Sequence, residues 1–263
     1  MTLNNKVIWI TGASSGIGKS LAIELSNYPC QLILSARRKE VLEEVKKQYK
    51  HPENVAVLPF DLADYKAMPQ IANEAVKCFG VVDMLINNGG ISQRSPIIET
   101  AIEVDKKLID IDYLGTVALT KAILPHFVSN QSGCFVVVSS LMGKFSSPLR
   151  SAYCAAKHAL HGFFDALRLE HHKDNIKVTL ICPGFVNTNV ARNALTADGS
   201  QQIIQDKMTE NGLNPDIFVK KMIKAIKKEK FEAYIGKFEA FGVYVQRLSP
   251  RLIHWLVLRS KVK

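Results

Sequence analysis

The chain has 263 residues, with 34 Lys and Arg against 24 Asp and Glu, which gives a net charge of +10. Its apolar share of 47% and charged share of 22% are ordinary for a globular protein, so disorder, a collagen-like fibre and a disulfide-stapled miniprotein are excluded. The length favours one large domain, because parallel α/β folds routinely reach it without dividing. The five cysteines form no C-x-x-C pair, which predicts reduced thiols.

Positive charge is concentrated near the carboxyl end. Residues 220–263 hold twelve Lys and Arg but three acidic residues, so they carry nine of the ten net charges. The sequence shows no secretory signal and no apolar run of about 18 residues, so we expect a cytoplasmic protein. Its basic segment, 237–263, is predicted either to touch an anionic membrane peripherally or to pack against the substrate pocket or a partner subunit. Nucleic-acid binding is not expected, because residues 1–219 are almost neutral.

Short β-branched runs alternate along the chain with longer segments whose apolar residues lie three and four apart. The short runs predict strands at 6–11, 31–35, 54–60, 82–87, 134–139, 176–182 and 231–235. The longer segments predict helices at 17–28, 39–49, 65–79, 104–129 and 151–172. This order predicts an α/β fold, a single-domain doubly wound (Rossmann-type) parallel sheet with helices on both faces. Ligands of such sheets bind beyond the carboxyl ends of the strands.

A glycine-rich loop follows the first predicted strand. Gly12, Gly16 and Gly18 allow a tight turn and close approach to a pyrophosphate, whose charge the start of the next helix favours. Glycines also serve purely structural turns, but the place of this loop between a strand and a helix favours a dinucleotide. The second predicted strand ends at Arg37 and Arg38 with no acid. Guanidinium groups suit a 2′-phosphate, so these arginines predict NADP(H) over NAD(H). The alternative is that they are only the solvent-exposed start of a helix.

Tyr153 and Lys157 lie four residues apart in a predicted helix and therefore share one face. A phenol is a weak acid, but a neighbouring ammonium group favours the phenolate and brings the pKa of the phenol towards neutrality. The pair alone is a common helical pattern. Ser140, after the fifth predicted strand, should reach the same rim as the glycine loop. His158 and His161 share a helix face without a completing acid or cysteine, so no metal site is predicted.

Together, these motifs resemble the short-chain dehydrogenase/reductase family, over residues 6 to about 190, and most closely its steroid-type and orphan membrane-associated branch. The matching positions, in the order and spacing of the family, are 11–18, 87–90, Ser140, Tyr153, Lys157, Pro183, Gly184 and Thr188.

The resemblance implies a reaction and the residues that perform it. Tyr153 would exchange a proton with the carbonyl or alcohol oxygen, Lys157 would lower the pKa of Tyr153 and hold the nicotinamide ribose, and Ser140 would orient the oxygen. The positions that the resemblance assigns to the cofactor are Gly12, Ser14, Ser15, Gly16, Ile17, Gly18, Arg37, Arg38, Asp61, Leu62, Asn88, Gly89, Tyr153, Lys157, Pro183, Gly184, Val186 and Thr188.

Two positions depart from the family pattern. Gly89 stands where the family usually has Ala. Asp112 stands where the family has an Asn that anchors a water chain to the lysine, and a carboxylate cannot donate a hydrogen bond unless protonated. A buried carboxylate near Lys157 would also hold that ammonium charged more tightly. We therefore place Asp112 in the catalytic set and expect a functional but altered proton relay.

The predicted protein is an NADP(H)-dependent oxidoreductase that interconverts a ketone or aldehyde with an alcohol by hydride transfer, acting on a hydrophobic carbonyl substrate. A non-catalytic NADP(H)-binding sensor or scaffold is the alternative, and Asp112 is the feature that supports it. The predicted pocket walls are 91–94, 141–145, Phe185 and a lid at 189–212, although 189–212 also reads as an ordinary surface loop. The family resemblance implies a homodimer or homotetramer.

Overall fold

The structure is a computed structural model that describes residues 1–260. Its strands are β1 (Val7–Thr11), β2 (Gln31–Ser35), β3 (Val55–Val57), β4 (Met84–Asn87), β5 (Gly133–Val138), β6 (Ile176–Pro183) and β7 (Glu232–Ile235). They form one sheet in the order β3-β2-β1-β4-β5-β6-β7, and every neighbouring pair is parallel. The predicted fold class is therefore confirmed.

The helices are α1 (Gly16–Leu25), α2 (Lys39–Lys47), α3 (Met68–Phe79), α4 (Ile102–Ile109), α5 (Thr116–Ser129), α6 (Ser151–Glu170), α7 (Lys207–Glu210), α8 (Pro215–Lys227), α9 (Gly242–Leu248) and α10 (Pro250–Arg259). None of the helices within residues 1–260 is long and apolar enough to cross a lipid bilayer.

Two apolar cores cover the two faces of the sheet. Leu21 of α1, Leu42 of α2 and Phe218 of α8 pack on one face. On the other face, α3, α5 and α6 bury their apolar sides, including the fully buried Phe127 and Phe164. Because both faces are covered, the central strands are apolar along their whole length instead of alternating with polar residues.

The predicted helix over 104–129 is helical throughout, but its middle is not α-helix. A π turn, Asp110–Gly115, separates α4 from α5. At its end the backbone passes close to Leu62, since a Cβ atom added to Gly115 would lie 2.3 Å from the Leu62 carbonyl oxygen. Such turns occur frequently at functional sites, and this one carries the buried Asp112.

The strand order reverses between β1 and β4, which is where doubly wound sheets bind ligands. Beyond the carboxyl ends of β5 and β6, α9 and α10 join a small separate core. Its buried members are Leu141, Phe145, Cys182, Val243 and Ile253. The carboxyl-terminal helices therefore cover the sheet edge at which the predicted catalytic residues emerge.

Candidate active site

A cleft of about 1180 Å³ lies over the carboxyl ends of the strands. It is larger than the roughly 300–1,000 Å³ typical of a site for one small molecule, so it has room for more than one ligand. The predicted site residues that line it are Gly12, Ser14, Ser15, Gly16, Ile17, Arg37, Arg38, Asp61, Leu62, Asn88, Gly89, Ser140, Tyr153, Lys157, Pro183, Gly184, Val186 and Thr188.

Two predicted site residues, Gly18 and Asp112, lie behind the surface of the cleft. Gly18 sits inside α1, where an added Cβ atom would come within 2.3 Å of the Gly12 carbonyl oxygen. Its lack of a side chain therefore permits close packing of the loop against the helix, and its contact with the cofactor remains a prediction. Asp112 is fully buried beside Lys157.

The glycine loop after β1 has the backbone geometry that only glycine adopts easily. Gly12 and Gly16 have φ angles of +64° and +53°, in the left-handed region. A Cβ atom on Gly12 would also lie 2.8 Å from the Gly89 Cα. Ser15, which precedes the first turn of α1, makes no capping side-chain bond to it. The first amides of α1 are therefore available to an anion in the cleft.

Asn88 ties the end of β4 to this loop. Its side-chain amide donates to the carbonyl oxygens of Thr11, at 3.0 Å, and Gly12, at 3.3 Å. The Thr11 hydroxyl in turn accepts hydrogen bonds from the backbone amides of Asn88 and Gly89. These bonds fix the floor of the cleft between β1 and β4.

Arg37 and Arg38 are exposed at the end of β2, on the rim of the cleft. Neither forms an ion pair with another residue in the part of the chain that the structure describes. They place two cationic side chains beside the glycine loop, whereas the acidic Asp61 lies on the rim after β3.

The predicted catalytic side chains Ser140, Tyr153 and Lys157 all line the cleft. Tyr153 and Lys157 come from α6, and the ammonium nitrogen of Lys157 lies 5.6 Å from the centre of the Tyr153 ring. Lys157 is buried, and its Nζ donates to the Val138 carbonyl oxygen at 3.2 Å. The Ser140 hydroxyl, at the end of β5, accepts from the Met142 amide at 3.1 Å. These groups can stabilise a phenolate and hydrogen-bond a ligand oxygen.

The π turn brings Asp112 against Lys157 from behind. Asp112 Oδ1 accepts from the Ile91 amide at 2.7 Å, and Oδ2 lies 3.5 Å from Lys157 Nζ. Burial raises the pKa of Asp112, although the neighbouring ammonium opposes this. Burial also disfavours the charged Lys157, but Asp112 and Tyr153 outweigh it, so the pKa of Lys157 is raised. Lys157 is therefore held as an ammonium ion.

A second polar network, behind α6, contains residues that motif analysis missed. Ser139 Oγ lies 3.0 Å from His161 Nε2, and His161 Nδ1 lies 3.1 Å from a carboxylate oxygen of Glu232. Lys144 also pairs with Glu232, so it turns away from the cleft although 141–145 is predicted to be a wall. His161 is thus a core residue with partners. Among residues 1–260, no three His, Cys, Asp or Glu side chains are grouped so as to hold a metal ion.

Glu239 and Arg150 also line the cleft, and no sequence motif marks either one. Glu239 Oε1 accepts from the backbone amides of Phe185 and Lys237, both at 3.1 Å. The carboxyl-terminal segment thereby holds the loop that follows β6. Arg150 directly precedes α6, so its distance of three residues from Tyr153 is the one clue in the sequence.

The substrate half of the cleft is lined by both the predicted walls and the carboxyl-terminal segment. From 91–94 and 141–145 the structure contributes Ile91, Ser92, Arg94, Leu141, Met142 and Phe145, and from 189–212 it contributes Asn189, Val190, Asn193, Leu195, Gly199, Ser200, Gln201, Met208 and Thr209. From the basic segment it adds Phe238, Glu239, Phe241, Gly242, Val245, Ile253, Leu256, Val257 and Ser260. Of the two predictions for that segment, the structure therefore supports packing on the pocket. Lys261 and Lys263 of the segment lie outside the described residues.

Comparison with known proteins places this geometry in a family. Residues 6–199 match the family model described as short chain dehydrogenase. The chain belongs to the short-chain dehydrogenase/reductase family. A dehydrogenase/reductase SDR family protein 7-like from Anopheles gambiae is 40% identical over 270 residues, covering 99% of this chain and 84% of the relative. Dehydrogenase/reductase SDR family member 7B of Mus musculus is 41% identical over 256 residues, covering 95% of this chain and 79% of the relative.

Solved structures of this family have the same fold. A short-chain dehydrogenase from Streptomyces avermitilis superposes with a TM-score of 0.81 at 26% identity, covering 97% of this chain and 98% of the other. A short chain dehydrogenase/reductase from Burkholderia phymatum in complex with NAD gives a TM-score of 0.85 at 19% identity, covering 96% of each chain. The resemblance drawn from the motifs is therefore confirmed at the level of family and fold.

Proposed function

We propose that the protein is an NADP(H)-dependent oxidoreductase that interconverts a ketone or aldehyde with the corresponding alcohol. The observation that carries the proposal is the meeting of Ser140, Tyr153 and a buried, charged Lys157 in the cleft that the glycine loop borders. Lys157 is held by the Val138 carbonyl and by Asp112. Ser140 and Tyr153 line the cleft, where a ligand can reach them.

The residues of the cleft fit a nicotinamide dinucleotide. Gly12 and Gly16 leave room for close backbone approach, and the uncapped start of α1 supplies amide donors for a pyrophosphate. Arg37 and Arg38 fit a 2′-phosphate, for which a carboxylate at the end of β2 would be unfavourable. We infer that the remaining contacts with the cofactor are made by Asp61, Leu62, Pro183, Gly184, Val186 and Thr188. When bound, the cofactor supplies or accepts the hydride.

In the reductive direction, the Tyr153 hydroxyl donates a proton to the substrate oxygen, and the Ser140 hydroxyl donates a hydrogen bond to the same oxygen. The Lys157 ammonium stabilises the phenolate that remains on Tyr153. Lys157 keeps its position through the Val138 carbonyl and its charge through Asp112. Asp112 is thus a positioning residue, which acts on the reaction through Lys157.

The substrate is proposed to have an apolar body. Leu141 and Phe145 lie on one side of the substrate half of the cleft, and Val245, Ile253 and Leu256 lie on the side of α9 and α10. We propose that 189–212 closes over the substrate, because it contributes wall residues and its Asp206 is bonded to Arg94.

The test is the oxidation of NADPH in the presence of a panel of aldehydes and ketones. Turnover should fall by roughly 100-fold or more in Tyr153→Phe, because general acid catalysis contributes about that much, while NADPH binding should persist. Tyr113→Phe is a matched control, since Tyr113 packs edge-on against Phe163 and is not among the residues that line the cleft. Binding of NADPH without turnover of any compound would favour the sensor or scaffold.

Peripheral membrane contact is a second proposal, made for the outer face of α9 and α10. Leu248 and Leu258 are 87% and 66% exposed there, beside the cations Arg251 and Arg259. Apolar and basic residues on one face suit an anionic lipid surface. Flotation with anionic liposomes should be lost in the double variant Leu248→Asp, Leu258→Asp, and equal flotation of both proteins would argue against the contact. The cytoplasmic location remains a prediction.

We also propose a homodimer or homotetramer that associates through the helices following β4 and β5. Light scattering coupled to size-exclusion chromatography measures the mass in solution. A monomeric mass across the working concentration range would overturn this proposal.

A further inference from the structure

Two arginines share one carboxylate in the wall of the cleft. The guanidinium of Arg94, from the loop after β4, donates through Nε and Nη2 to Asp206 Oδ2 at 3.1 and 2.8 Å. Arg150 Nη2 lies 3.7 Å from the same oxygen. The three side chains, called the arginine cluster here, are each at most 9% exposed.

The arginine cluster carries one positive charge in excess. Asp206 is ionised, because hydrogen bonds from Thr209 and Arg94 outweigh its burial and lower the pKa of the carboxyl. No other carboxylate within residues 1–260 forms an ion pair with Arg94 or Arg150. Burial, and then the charge of Arg94, lower the pKa of Arg150 to about 10, so Arg150 still carries its charge at neutral pH. A buried cation without a full partner is costly unless a ligand compensates it.

All three guanidinium nitrogens of Arg94 donate hydrogen bonds, whereas only one of those of Arg150 does so within residues 1–260. Arg94 Nη1 donates to Ser92 Oγ and to the Gln93 carbonyl oxygen, which leaves Nε and Nη2 for Asp206. Arg150 Nη1 donates to Ser147 Oγ at 3.0 Å and more weakly to the Pro148 carbonyl oxygen. Its Nε and Nη2 make no hydrogen bond within the described part of the chain, and Arg150 lines the cleft.

Arg150 is also close to the proposed chemistry. It is the residue that directly precedes α6, three residues before Tyr153. Tyr153 is near enough to contribute to the electrostatic environment of Arg150. Both side chains line the same cleft.

We propose that Arg150, supported by Arg94, binds an anionic group of the substrate, so that the substrate is an apolar carbonyl compound that carries a carboxylate or a phosphate. A guanidinium suits both groups because its N–H donors match two oxygens at once. The proposal rests on the proposed function for the carbonyl, but the anion site itself is independent of turnover. Asp206, on 189–212, holds the two guanidinium groups in place beside the ligand.

The kinetic test compares straight-chain oxo acids of graded length with their methyl esters, and hydroxyketone phosphates with the parent hydroxyketones. Wild-type kcat/KM should favour the anionic member of at least one pair about 10-fold or more. Arg150→Met should lower kcat/KM for that member by about 10- to 100-fold and for its neutral counterpart by less than about 3-fold. Arg150→Lys should restore part of the preference for the anionic compound, since lysine keeps the positive charge but lacks the paired N–H donors of a guanidinium group. The carboxylate and phosphate series separate the two sources of negative charge.

Equal use of anionic and neutral compounds by the wild type, or equal losses for both in Arg150→Met, would overturn the proposal. The arginine cluster would then only hold 189–212 against the rest of the cleft wall.

A second measurement does not depend on catalysis. Calorimetric titration of the NADPH-loaded protein with octanoate or octyl phosphate should show binding that octanol lacks and that Arg150→Met loses. Anion binding without turnover of any compound would contradict the proposed function but not the anion site. Turnover without a preference for anionic compounds would contradict only the anion site.

Discussion

Asp112→Asn is the substitution that most directly tests the electrostatics of the site. It replaces a fully buried carboxylate, 3.5 Å from Lys157 Nζ, with a neutral amide of the same shape. The amide oxygen can still accept from the Ile91 amide, so the local fold should be kept. The change removes one negative charge from beside the Tyr153 and Lys157 pair.

The size of the effect follows from the distance. Two unit charges 3.5 Å apart interact by about 5 kcal/mol at an effective dielectric constant near 20, and by about 1 kcal/mol if the site is as screened as water. These energies correspond to about 3.5 and about 1 pH units on the pKa of Lys157. In ketone reduction Tyr153 must be protonated, and removal of a negative charge from the site favours its ionised form. The 3.5 Å distance is to Lys157 and not to Tyr153, so the alkaline limb of the kcat profile should move to lower pH by the screened figure, about one unit.

The assay is the pH dependence of NADPH oxidation with a ketone that the wild type reduces. Asp110→Asn makes the same chemical change two residues earlier, on a side chain that pairs with Lys106 at the surface, and should leave the limb in place. A limb that stays within about half a unit of the wild type, or moves to higher pH, would refute the reasoning, because Asp112 would then be uncharged or without influence.

Three further substitutions test other parts of the site. Arg37→Ala should weaken NADPH binding by about 10-fold or more with little change for NADH, whereas Lys39→Ala should affect neither, and equal losses for both cofactors would contradict the assignment of the 2′-phosphate. Glu239→Ala should raise KM for NADPH several-fold because the Phe185 amide loses its acceptor, and Glu239→Gln should restore most of the affinity. Gly18→Ala should lower the free energy of unfolding by about 1–3 kcal/mol through the clash with the Gly12 carbonyl, and an unchanged denaturation midpoint would contradict this.

The regular part of the fold could be predicted because its cause is local. Strands covered on both faces must be apolar almost throughout, and this pattern identifies the inner strands. The edge strand β7 is predicted at 231–235 although it alternates and contains Glu232. Helix α8 was not predicted, although Phe218, Met222 and Ile226 recur at helical spacing and are buried in its apolar face. The polar segment before it and the dense lysines within it conceal that periodicity.

The π turn could not be predicted, because its cause is distant in the sequence. Helical spacing continues through 110–115, and the turn packs at Gly115 against the backbone of Leu62, a contact that spacing does not reveal. Asp112 is identified as unusual by its residue type, but its 3.5 Å contact with Lys157 depends on that turn.

Residues of the site were predictable where they belong to short motifs. Arg150 and Glu239 belong to no such motif. Arg150 pairs with Asp206, and Glu239 accepts from the Phe185 amide, and both partners lie more than fifty residues away in the sequence. Spacing along the chain carries no information about such contacts.

The family match ends at residue 199, whereas Val245, Ile253 and Leu256 line the cleft from beyond that point. One part of the wall that would select a molecule is therefore encoded after the stretch that carries the side chains that would act on bonds. Under the proposed function, evolution can replace the terminal stretch and obtain an enzyme for a new compound while the inherited chemistry stays intact. Exchange of residues 237–260 between relatives should therefore change which compound is used while the reaction stays the same.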